Sequence, residues 1–383
     1  MNHIKSPTQG RRIRILRIVT RMNVGGPAVQ ITNLLENLQP EWFEQRLLYG
    51  KCEKGEEDFL LIQNLNYVAS KQITTLHRSL NLLCDIRAFF SICREIISFK
   101  PEIVHTHMSK AGLLGRLSAI LFSPKSKIVH TYHGLIFDGY FDNRKVRVLK
   151  TIERILSKKT NVIIAVGSHT RHTLIQERIA QPQKILVINP GIVTPVNIDI
   201  RSRNFATQNK INVLWVGRMT KIKRPDRLLD IVRIVNRDNL DFTFRVAGNG
   251  PELNELQKIS ELENLPVAYL GTVKDIDFEF QNCDLVISTS DNEGVPLSLI
   301  QAQFHGKPVV STNVGSVSDI ISHGKNGYLT TLEPEEFVKC MLKFSDNREQ
   351  LRQMGEDARD RAEISFSLLQ FIEKYQEMYL NIK

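Results

Sequence analysis

The sequence predicts an α/β protein built from two Rossmann-like, doubly wound domains. Its 383 residues exceed what a single hydrophobic core usually organises. Short apolar runs alternate with helical segments along the chain, a pattern typical of parallel sheets. The alternation stops at a polar, poorly periodic segment, 196–210, and then begins again. We therefore predict an N-terminal domain over 12–195, a linker over 196–210 and a C-terminal domain over 211–364.

The individual elements follow from periodicity. Ile13 to Thr20 alternates as a buried parallel strand does. Gly25, Gly26 and Pro27 then precede apolar residues at helical spacing, and proline suits a first helical turn. Similar strand-like runs begin at 103, 127 and 162 in the first half and at 212, 242, 267, 285 and 308 in the second.

The two predicted domains are expected to face each other across a cleft. Open α/β sheets bind ligands outside the carboxyl ends of their strands, so the ligand sites of both domains should line this cleft. A final helical stretch, 365–383, is predicted to pack back on the first domain.

Charge divides the chain unevenly. Residues 1–205 carry 30 Lys and Arg against 15 Asp and Glu, whereas residues 206–383 carry 21 against 26. A basic half favours an anionic partner. Because no nucleic-acid-binding motif accompanies the charge, an anionic membrane surface is the better prediction than nucleic acid. The alternative is that these cations only keep the protein soluble.

The candidate membrane contacts form two groups. They are the arm residues Lys5, Arg11, Arg12 and Arg14 and the run Arg144, Lys145, Arg147, Lys150, Arg154, Lys158 and Lys159. No apolar run has the length of a membrane span, and the N-terminus lacks an apolar signal region. We therefore expect a cytoplasmic protein, peripheral on the inner face of the membrane. The five cysteines form no CxxC pair and are expected to be structural.

The segment Ser290 to Ala302 carries the most specific signal. It follows a predicted strand and opens a helix, so the carboxylate of Glu293 can bind sugar hydroxyls while helix amides face a phosphate. Gln301 follows eight residues later, about two helical turns along. Both side chains then suit one extended ligand, a nucleotide-sugar. The alternative role for Glu293 is a capping acid.

A second signal is the basic loop Gly217 to Asp226, which also follows a strand. Breaking a bond to a nucleoside diphosphate leaves negative charge on the departing phosphate, so preorganised cations there lower the barrier. Arg218 and Lys223 are the candidate cations. A basic loop alone is usually a solvated surface, but this one shares a domain with the Glu293 segment.

With these motifs the chain resembles the family-four retaining glycosyltransferases, which have a GT-B fold, including enzymes of capsule, O-antigen and exopolysaccharide synthesis. The similarity includes the Gly25-Gly26 loop, the histidine segments 105–107 and 130–134, Ala247 to Pro251, and Glu293-Gly294-Val295-Pro296. By this resemblance, we expect a hexosyltransferase that acts without metal or other cofactor. Its donor would be a nucleotide-sugar, UDP-linked by expectation, and its acceptor a glycan or lipid-linked glycan.

The resemblance also implies roles for single residues. Gly25 and Gly26 would approach the donor phosphates and the acceptor, and Arg218 and Lys223 would hold the diphosphate. Glu293 would hold the hexose, followed by Gly294, Val295 and Pro296 in the donor site. His133 would lie beside the transferred sugar, and His107 would orient the acceptor or His133.

Two positions depart from the family pattern. Gln301 stands where a glutamate usually grips the ribose hydroxyls, and it replaces a charge-assisted hydrogen bond with a neutral one. Asp319 stands where a glutamate often follows the loop at Gly315 and Ser316. From Gln301 we therefore expect a lower donor affinity without loss of the reaction.

A metal site is not expected. His105 and His107 alternate at a strand end, but no third ligand with suitable spacing follows them. Asp275 and Asp277 resemble a metal-binding DxD pair, yet their place after a strand is typical of helix-capping acids.

Three other functions compete. An NAD-dependent oxidoreductase would need G-x-G-x-x-G after the first strand, and residues 23–27 do not match it. A nucleotide-sugar 2-epimerase on the same architecture would need additional carboxylates. A catalytically silent sugar-nucleotide-binding subunit would explain Gln301, but the cations at 218 and 223, Glu293 and His133 argue against it.

Overall fold

The computed structural model describes residues 11–63, 69–134, 143–195 and 210–382. It divides into two compact units. Unit 1 comprises Met1–Gly191 together with Leu368–Lys383, and unit 2 comprises Ile192–Ser367. The predicted linker, 196–210, lies almost wholly outside the described residues, as does Lys5 of the basic arm.

Unit 1 contains a parallel sheet of seven strands within the described residues, in the order β3-β2-β1-β4-β5-β6-β7. The strands are β1 Ile13–Val19, β2 Phe43–Gly50, β3 Ala69–Ile73, β4 Ile103–His107, β5 Lys127–Tyr132, β6 Val162–Ala165 and β7 Ile185–Val187. The α-helices are α1 Gly26–Asn37, α2 Phe59–Ile62, α3 Leu82–Phe99, α4 Ser109–Phe122, α5 Asn143–Lys159, α6 Ser168–Gln176 and the last helix of the chain, Leu368–Asn381.

The two faces of this sheet have separate cores. Ile13 and Ile15 of β1 pack with α1 and with the last helix, Leu368–Asn381. Leu16 and Ile18 of the same strand pack with α3 and α4 on the opposite face. Alternation along one buried strand thus supplies both layers of helices, as parallel sheets require.

In the part of unit 2 that the structure describes, six strands form a parallel sheet in the order β10-β9-β8-β11-β12-β13. The strands are β8 Ile211–Val216, β9 Phe242–Ala247, β10 Val267–Gly271, β11 Leu285–Ser288, β12 Val309–Thr312 and β13 Gly327–Thr330. The helices are α7 Pro225–Arg237, α8 Leu253–Leu262, α9 Ile276–Asn282, α10 Leu297–Phe304, α11 Val317–Ile320, α12 Pro334–Asp346 and α13 Arg348–Phe366, so that Leu368–Asn381 is α14.

Both sheets wind in the same way. The chain starts in the middle, adds two strands on one side, and returns to add the others on the opposite side. This creates a switch point between β1 and β4 in unit 1 and between β8 and β11 in unit 2, where open α/β sheets bind ligands. The structure therefore confirms the predicted fold class of two Rossmann-like, doubly wound parallel sheets. None of the helices in the described part of the chain is both long and apolar enough to cross a bilayer.

Candidate active site

In unit 2, the loops after β8 and β11 bring a predicted cation and the predicted carboxylate together. Lys223 Nζ lies 2.5 Å from Glu293 Oε1, although the two residues are 70 positions apart. The hydroxyl of Ser290 donates to the same oxygen at 2.6 Å. Arg218 lies on the same loop as Lys223 and is exposed. This arrangement provides two cations and one carboxylate at the switch point of the sheet.

A buried threonine locks the two loops together. The hydroxyl of Thr289 lies 3.0 and 2.9 Å from the carbonyl oxygens of Lys223 and Arg224. It accepts a hydrogen bond from Trp215 Nε1 at 3.0 Å. Because Thr289 is completely buried, its hydroxyl has no water to replace these partners. These hydrogen bonds fix the position of the backbone of the basic loop next to the Glu293 segment.

An ion-pair network strengthens the same junction. Arg227 Nη2 contacts Asp291 Oδ1 at 2.7 Å, and Arg224 contacts both Asp291 and Asp226 at 3.1 and 2.8 Å. The amide of Asp291 donates to the carbonyl of Ile222 at 2.9 Å. Arg224 has a φ of 49°, a left-handed conformation that costs a non-glycine residue about 1–2 kcal/mol. Its two carboxylate partners offset this strain.

Two glycines allow the backbone of the site to pack closely. A Cβ on Gly315, whose φ is 54°, would stand 1.7 Å from the carbonyl oxygen of Glu293. A Cβ on Gly248 would stand 1.8 Å from the carbonyl oxygen of Gly217. Any other residue at either position would push the Glu293 segment or the basic loop out of place.

The Glu293 segment leads into helix α10. Gly294 and Val295 are half-buried, Pro296 is buried and immediately precedes the helix, and Gln301 is half-buried within it. Across the first turn of α10, which is described in full, there is neither an acidic residue nor a side-chain cap. The amides of this turn carry the positive end of the helix dipole, which suits an anionic group.

In unit 1, the corresponding switch point carries histidines. His107 ends β4, and its Nδ1 lies 3.0 Å from Nε2 of His133, which follows β5. The two rings stack with centroids 5.2 Å apart. His107 is fully buried, whereas His133 retains partial exposure. His107 is therefore placed to orient His133, and His133 is the member of the pair that a ligand can reach.

The tautomer of the next histidine follows from its partners. Arg17 Nη1 lies 2.9 Å from His105 Nδ1 and can only donate, so Nδ1 must accept. The ring proton then lies on Nε2, which donates to the hydroxyl of Thr131 at 2.8 Å. Tyr379 of α14 joins this network, accepting from Arg17 at 2.7 Å. The last helix of the chain thus helps to hold the histidines of unit 1.

The histidines of this cluster are neutral at physiological pH. Burial lowers the pKa of His133 to about 4. Burial, and then the charge of Arg17, lower the pKa of His105 well below its usual value. Burial also lowers the pKa of His107, and its two neighbouring histidines lower it further. A neutral imidazole can donate or accept a hydrogen bond but does not serve as an acid here.

The glycine loop of unit 1 lies at the same switch point. Gly25 immediately precedes α1, which begins at Gly26, and no atom lies within 4 Å of where a Cβ on Gly25 would stand. The amide of Val24 donates to the carbonyl of Glu57 at 3.1 Å. The loop is therefore anchored on one side and leaves room for close approach on the other.

The acidic pair in unit 2 has structural partners. Asp275 caps α9 by accepting from the amide of Phe278 at 3.1 Å, as expected for an acid in this position. Asp277 contacts His305 Nε2 at 2.9 Å. Among the described residues, no group of three or more His, Cys, Asp or Glu is arranged to hold a metal ion. The five cysteines are free thiols, and three of them are buried.

Comparison with known sequences places this site in a family. Residues 24–194 match the family described as Glycosyltransferase Family 4, and residues 197–361 match the glycosyl transferases group 1. The chain belongs to the family-four glycosyltransferases. The two matches adjoin and together span almost the whole described chain, so both units are accounted for.

Individual relatives are distant but extend over most of the chain. A UDP-Gal:α-D-GlcNAc-diphosphoundecaprenol α-1,3-galactosyltransferase of Escherichia coli is 26% identical over 323 residues, covering 81% of this chain and 83% of the relative. The capsular polysaccharide glycosyltransferase CapM of Staphylococcus aureus is 24% identical over 320 residues, covering 80% and 84%.

Solved structures show the same fold. HepE of Anabaena, solved in complex with UDP and glucose, has a TM-score of 0.80 at 18% identity and covers 97% of this chain and 100% of its own. A sucrose-phosphate synthase of Thermosynechococcus elongatus has a TM-score of 0.81 at 16% identity, covering 97% and 99%. The GT-B fold implied by the sequence motifs is therefore confirmed.

Proposed function

We propose that this glycosyltransferase moves a hexose from a UDP-sugar to a glycan or lipid-linked glycan, with retention of the anomeric configuration. The observation that carries the proposal is the contact between Lys223 and Glu293 at the switch point of unit 2. A cation and a carboxylate held side by side suit the two ends of a sugar diphosphate, the phosphates and the hydroxyls.

The unit 2 residues would act on charge and position. Arg218 and Lys223 stabilise the negative charge that grows on the diphosphate as the sugar leaves. Glu293 accepts hydrogen bonds from hexose hydroxyls, and Gln301 binds the ribose. Gly294, Val295 and Pro296 lead the backbone to the first turn of α10, whose amides face a phosphate. Fixed protein cations perform the work that a divalent metal performs in other transferases.

The unit 1 residues would act on the acceptor face. Because the pKa of His133 is about 4, its imidazole is neutral and hydrogen-bonds the transferred sugar or the attacking hydroxyl. Its partner His107, fully buried, sets the orientation of the ring. Gly25 and Gly26 allow close approach of the donor phosphates and the acceptor.

Named relatives support the donor and acceptor classes. The structure of HepE holds UDP and glucose, and the Escherichia coli relative transfers galactose to a diphosphoundecaprenol-linked sugar. A lipid-linked acceptor would require the enzyme to work at the inner membrane surface, and we propose that it does. In unit 1 the predicted basic run lies on helix α5, where Arg144, Arg147 and Lys158 are exposed, and we propose that this helix faces anionic lipid.

A nucleotide-sugar panel tests the proposal. Purified protein is screened by thermal shift against UDP-, GDP- and dTDP-linked sugars, and the hits are followed for nucleotide release with and without a lipid-linked acceptor. We expect a UDP-hexose to stabilise the protein and to release UDP when acceptor is present. Binding without release would instead support a silent subunit, and conversion of the donor to its 2-epimer would support the epimerase.

A further inference from the structure

Helix α3 of unit 1 presents an apolar face to solvent. Its outward side chains include Leu83, Ile86, Phe90 and Ile97, which recur at helical spacing. Leu83 and Phe90 are 70% and 62% exposed. The inward face of the same helix is fully occupied in the core, through residues such as Ile92. A surface helix normally carries polar residues on its outer face, so an apolar outer face indicates an interaction site.

The apolar face continues onto helix α4. Phe90 contacts Phe89 with ring centroids 5.6 Å apart, and Phe89 contacts Phe122 of α4 at 6.3 Å. Leu121 and Phe122 are themselves exposed at the end of α4. The ring contacts Phe90–Phe89–Phe122 connect the exposed apolar side chains of the two helices. We term this surface the α3–α4 face (Leu83, Ile86, Phe90, Ile97, Leu121 and Phe122).

The exposed charged side chains of α3 and of residues 109–127 are all cations. Arg87 and Arg94 lie on the outward side of α3 and are exposed, and Lys125 is exposed just beyond α4. The two carboxylates of α3 point elsewhere: Asp85 is paired with Lys110 at 2.7 Å, and Glu95 is buried against Arg46 and Lys71. Residues 109–127 contain no Asp or Glu.

The face also lies beside the acceptor end of unit 1. Helix α3 follows β3 and therefore begins at the carboxyl edge of the parallel sheet, where His107 ends β4. Lys110, in the first turn of α4, contacts both Asp85 and the carbonyl of Ser79. These contacts tie the start of α3 to the start of α4, three residues after His107.

We infer that the α3–α4 face inserts into the interfacial region of an anionic bilayer and is the main membrane contact of unit 1. Exposed leucine and phenylalanine enter the acyl boundary, while arginines that extend beside them reach the phosphates of the headgroups. An acidic protein partner would satisfy the arginines but not the aromatic patch. The inference rests on the proposed lipid-linked acceptor and goes beyond it, because it assigns the main membrane contact to a largely apolar surface and leaves α5 as a secondary, electrostatic contact.

The test is flotation of the full chain with vesicles of mixed phosphatidylglycerol and phosphatidylcholine. The double variant Leu83→Ser/Phe90→Ser should reduce the bound fraction by at least about tenfold, since two inserting side chains are lost. The matched control is Leu262→Ser on unit 2, where the side chain is 82% exposed, and it should bind as the unaltered protein does. Changing Arg144 and Arg147 of α5 to glutamine should have the smaller effect.

A second variant reports insertion directly. Phe90→Trp should show a blue-shifted emission with vesicles and be quenched by brominated lipid, whereas Leu262→Trp should not. Three results would overturn the inference: no vesicle binding by the unaltered chain, equal binding by the double variant, or a stable dimer that the double variant dissociates, which would make this face a protein interface.

Failure of this inference is distinguishable from failure of the proposed function. UDP release from the donor with a water-soluble acceptor should be the same in Leu83→Ser/Phe90→Ser as in the unaltered protein, because neither residue lies in the candidate active site. A loss of that activity in the double variant alone would assign these residues to folding or to the reaction, and would contradict a membrane role.

Discussion

Unit 1 and unit 2 place their candidate residues at the same point of the same strand order but with opposite chemistry. At the β8–β11 switch point of unit 2, the side chains are charged and paired, as in the contact between Lys223 and Glu293. At the β1–β4 switch point of unit 1, the side chains are stacked histidines held neutral by burial. The strand order determines where a ligand binds, and the residues on the loops determine which ligand binds there.

The two sets of side chains suit different kinds of ligand. Fixed ion pairs are costly to bury but need no reorganisation when a diphosphate arrives. Neutral imidazoles carry no charge to attract phosphate and instead suit the hydroxyl groups of a sugar or an acceptor. This comparison agrees with our proposal that unit 2 holds the donor and unit 1 presents the acceptor.

The largest expected effect tests the cations of unit 2. Arg218→Ala and Lys223→Ala should each lower kcat by roughly 100-fold or more, because they act on charge that develops in the transition state. Lys221→Ala is the matched control, since Lys221 is an exposed cation on the same loop. Circular dichroism checks that folding is intact. Near-native kcat in either variant would remove the diphosphate assignment.

The histidines of unit 1 predict an acid-sensitive domain. The folded pKa of His133 is about 4, below the value of about 6.5 for an unfolded chain. As the pH falls below about 6.5, the histidine binds a proton in the unfolded state but not in the folded state. The free energy of unfolding therefore decreases. Each such histidine removes about 1 to 2 kcal/mol from the free energy of unfolding between pH 6.5 and 5. His105 and His107 add to the effect in the same direction.

The chain's two tryptophans allow this to be measured for each unit separately. Trp42 lies in unit 1 and Trp215 in unit 2. Urea unfolding is followed by fluorescence in Trp215→Phe and Trp42→Phe at pH 7.5 and pH 5. The midpoint reported by Trp42 should fall more than that reported by Trp215. Equal shifts would mean that the buried histidines do not distinguish the units.

A smaller effect is expected at Gln301. Gln301→Glu would replace a neutral hydrogen bond to the ribose with a charge-assisted one, which is about twice as strong. Donor Kd should fall by about fivefold, with kcat changed little, because this contact exists before and during the reaction alike. Isothermal titration calorimetry with the donor nucleotide measures Kd for the unaltered protein and for Gln301→Glu. An unchanged Kd would place the ribose away from α10.

No effect is expected from chelation. If fixed cations of unit 2 replace a metal, activity should survive EDTA within the error of a UDP-release assay. Complete loss of activity in EDTA, restored by manganese or magnesium, would contradict catalysis by protein cations alone. Asp275 and Asp277 would then be the candidate metal ligands, although they now contact the first turn of α9 and His305.

Most of the central strands and the motifs could be predicted because each is formed by residues that are close together in the sequence. The buried strands read as continuous apolar runs, and the basic loop and the Glu293 segment are each contiguous. Four strands were not predicted, namely β2, β3, β7 and β13. In β3, four of the five residues are exposed and mostly polar, so no apolar run marks the strand. The last helix begins later than the predicted residue 365, because α13 continues to Phe366, Ser367 is extended and α14 begins at Leu368.

Long-range contacts lay beyond sequence reasoning. Thr289 and Arg227 lock the two loops of unit 2 through partners 62 to 74 positions away. Arg17 reads as one polar residue in a strand, yet it is buried against Tyr379, 362 positions later. No local pattern marks such partners.

The stereochemistry of the product decides whether this enzyme is a retaining transferase. The unaltered enzyme is given the UDP-hexose found by the donor screen, whose anomeric bond is α, with a lipid-linked glycan acceptor, and the purified product is examined by proton NMR. We expect an α-linked product formed with release of UDP, and the same product, formed far more slowly, with Lys223→Ala. A β-linked product would contradict the retaining mechanism, and release of free hexose with no linked product would contradict transfer itself.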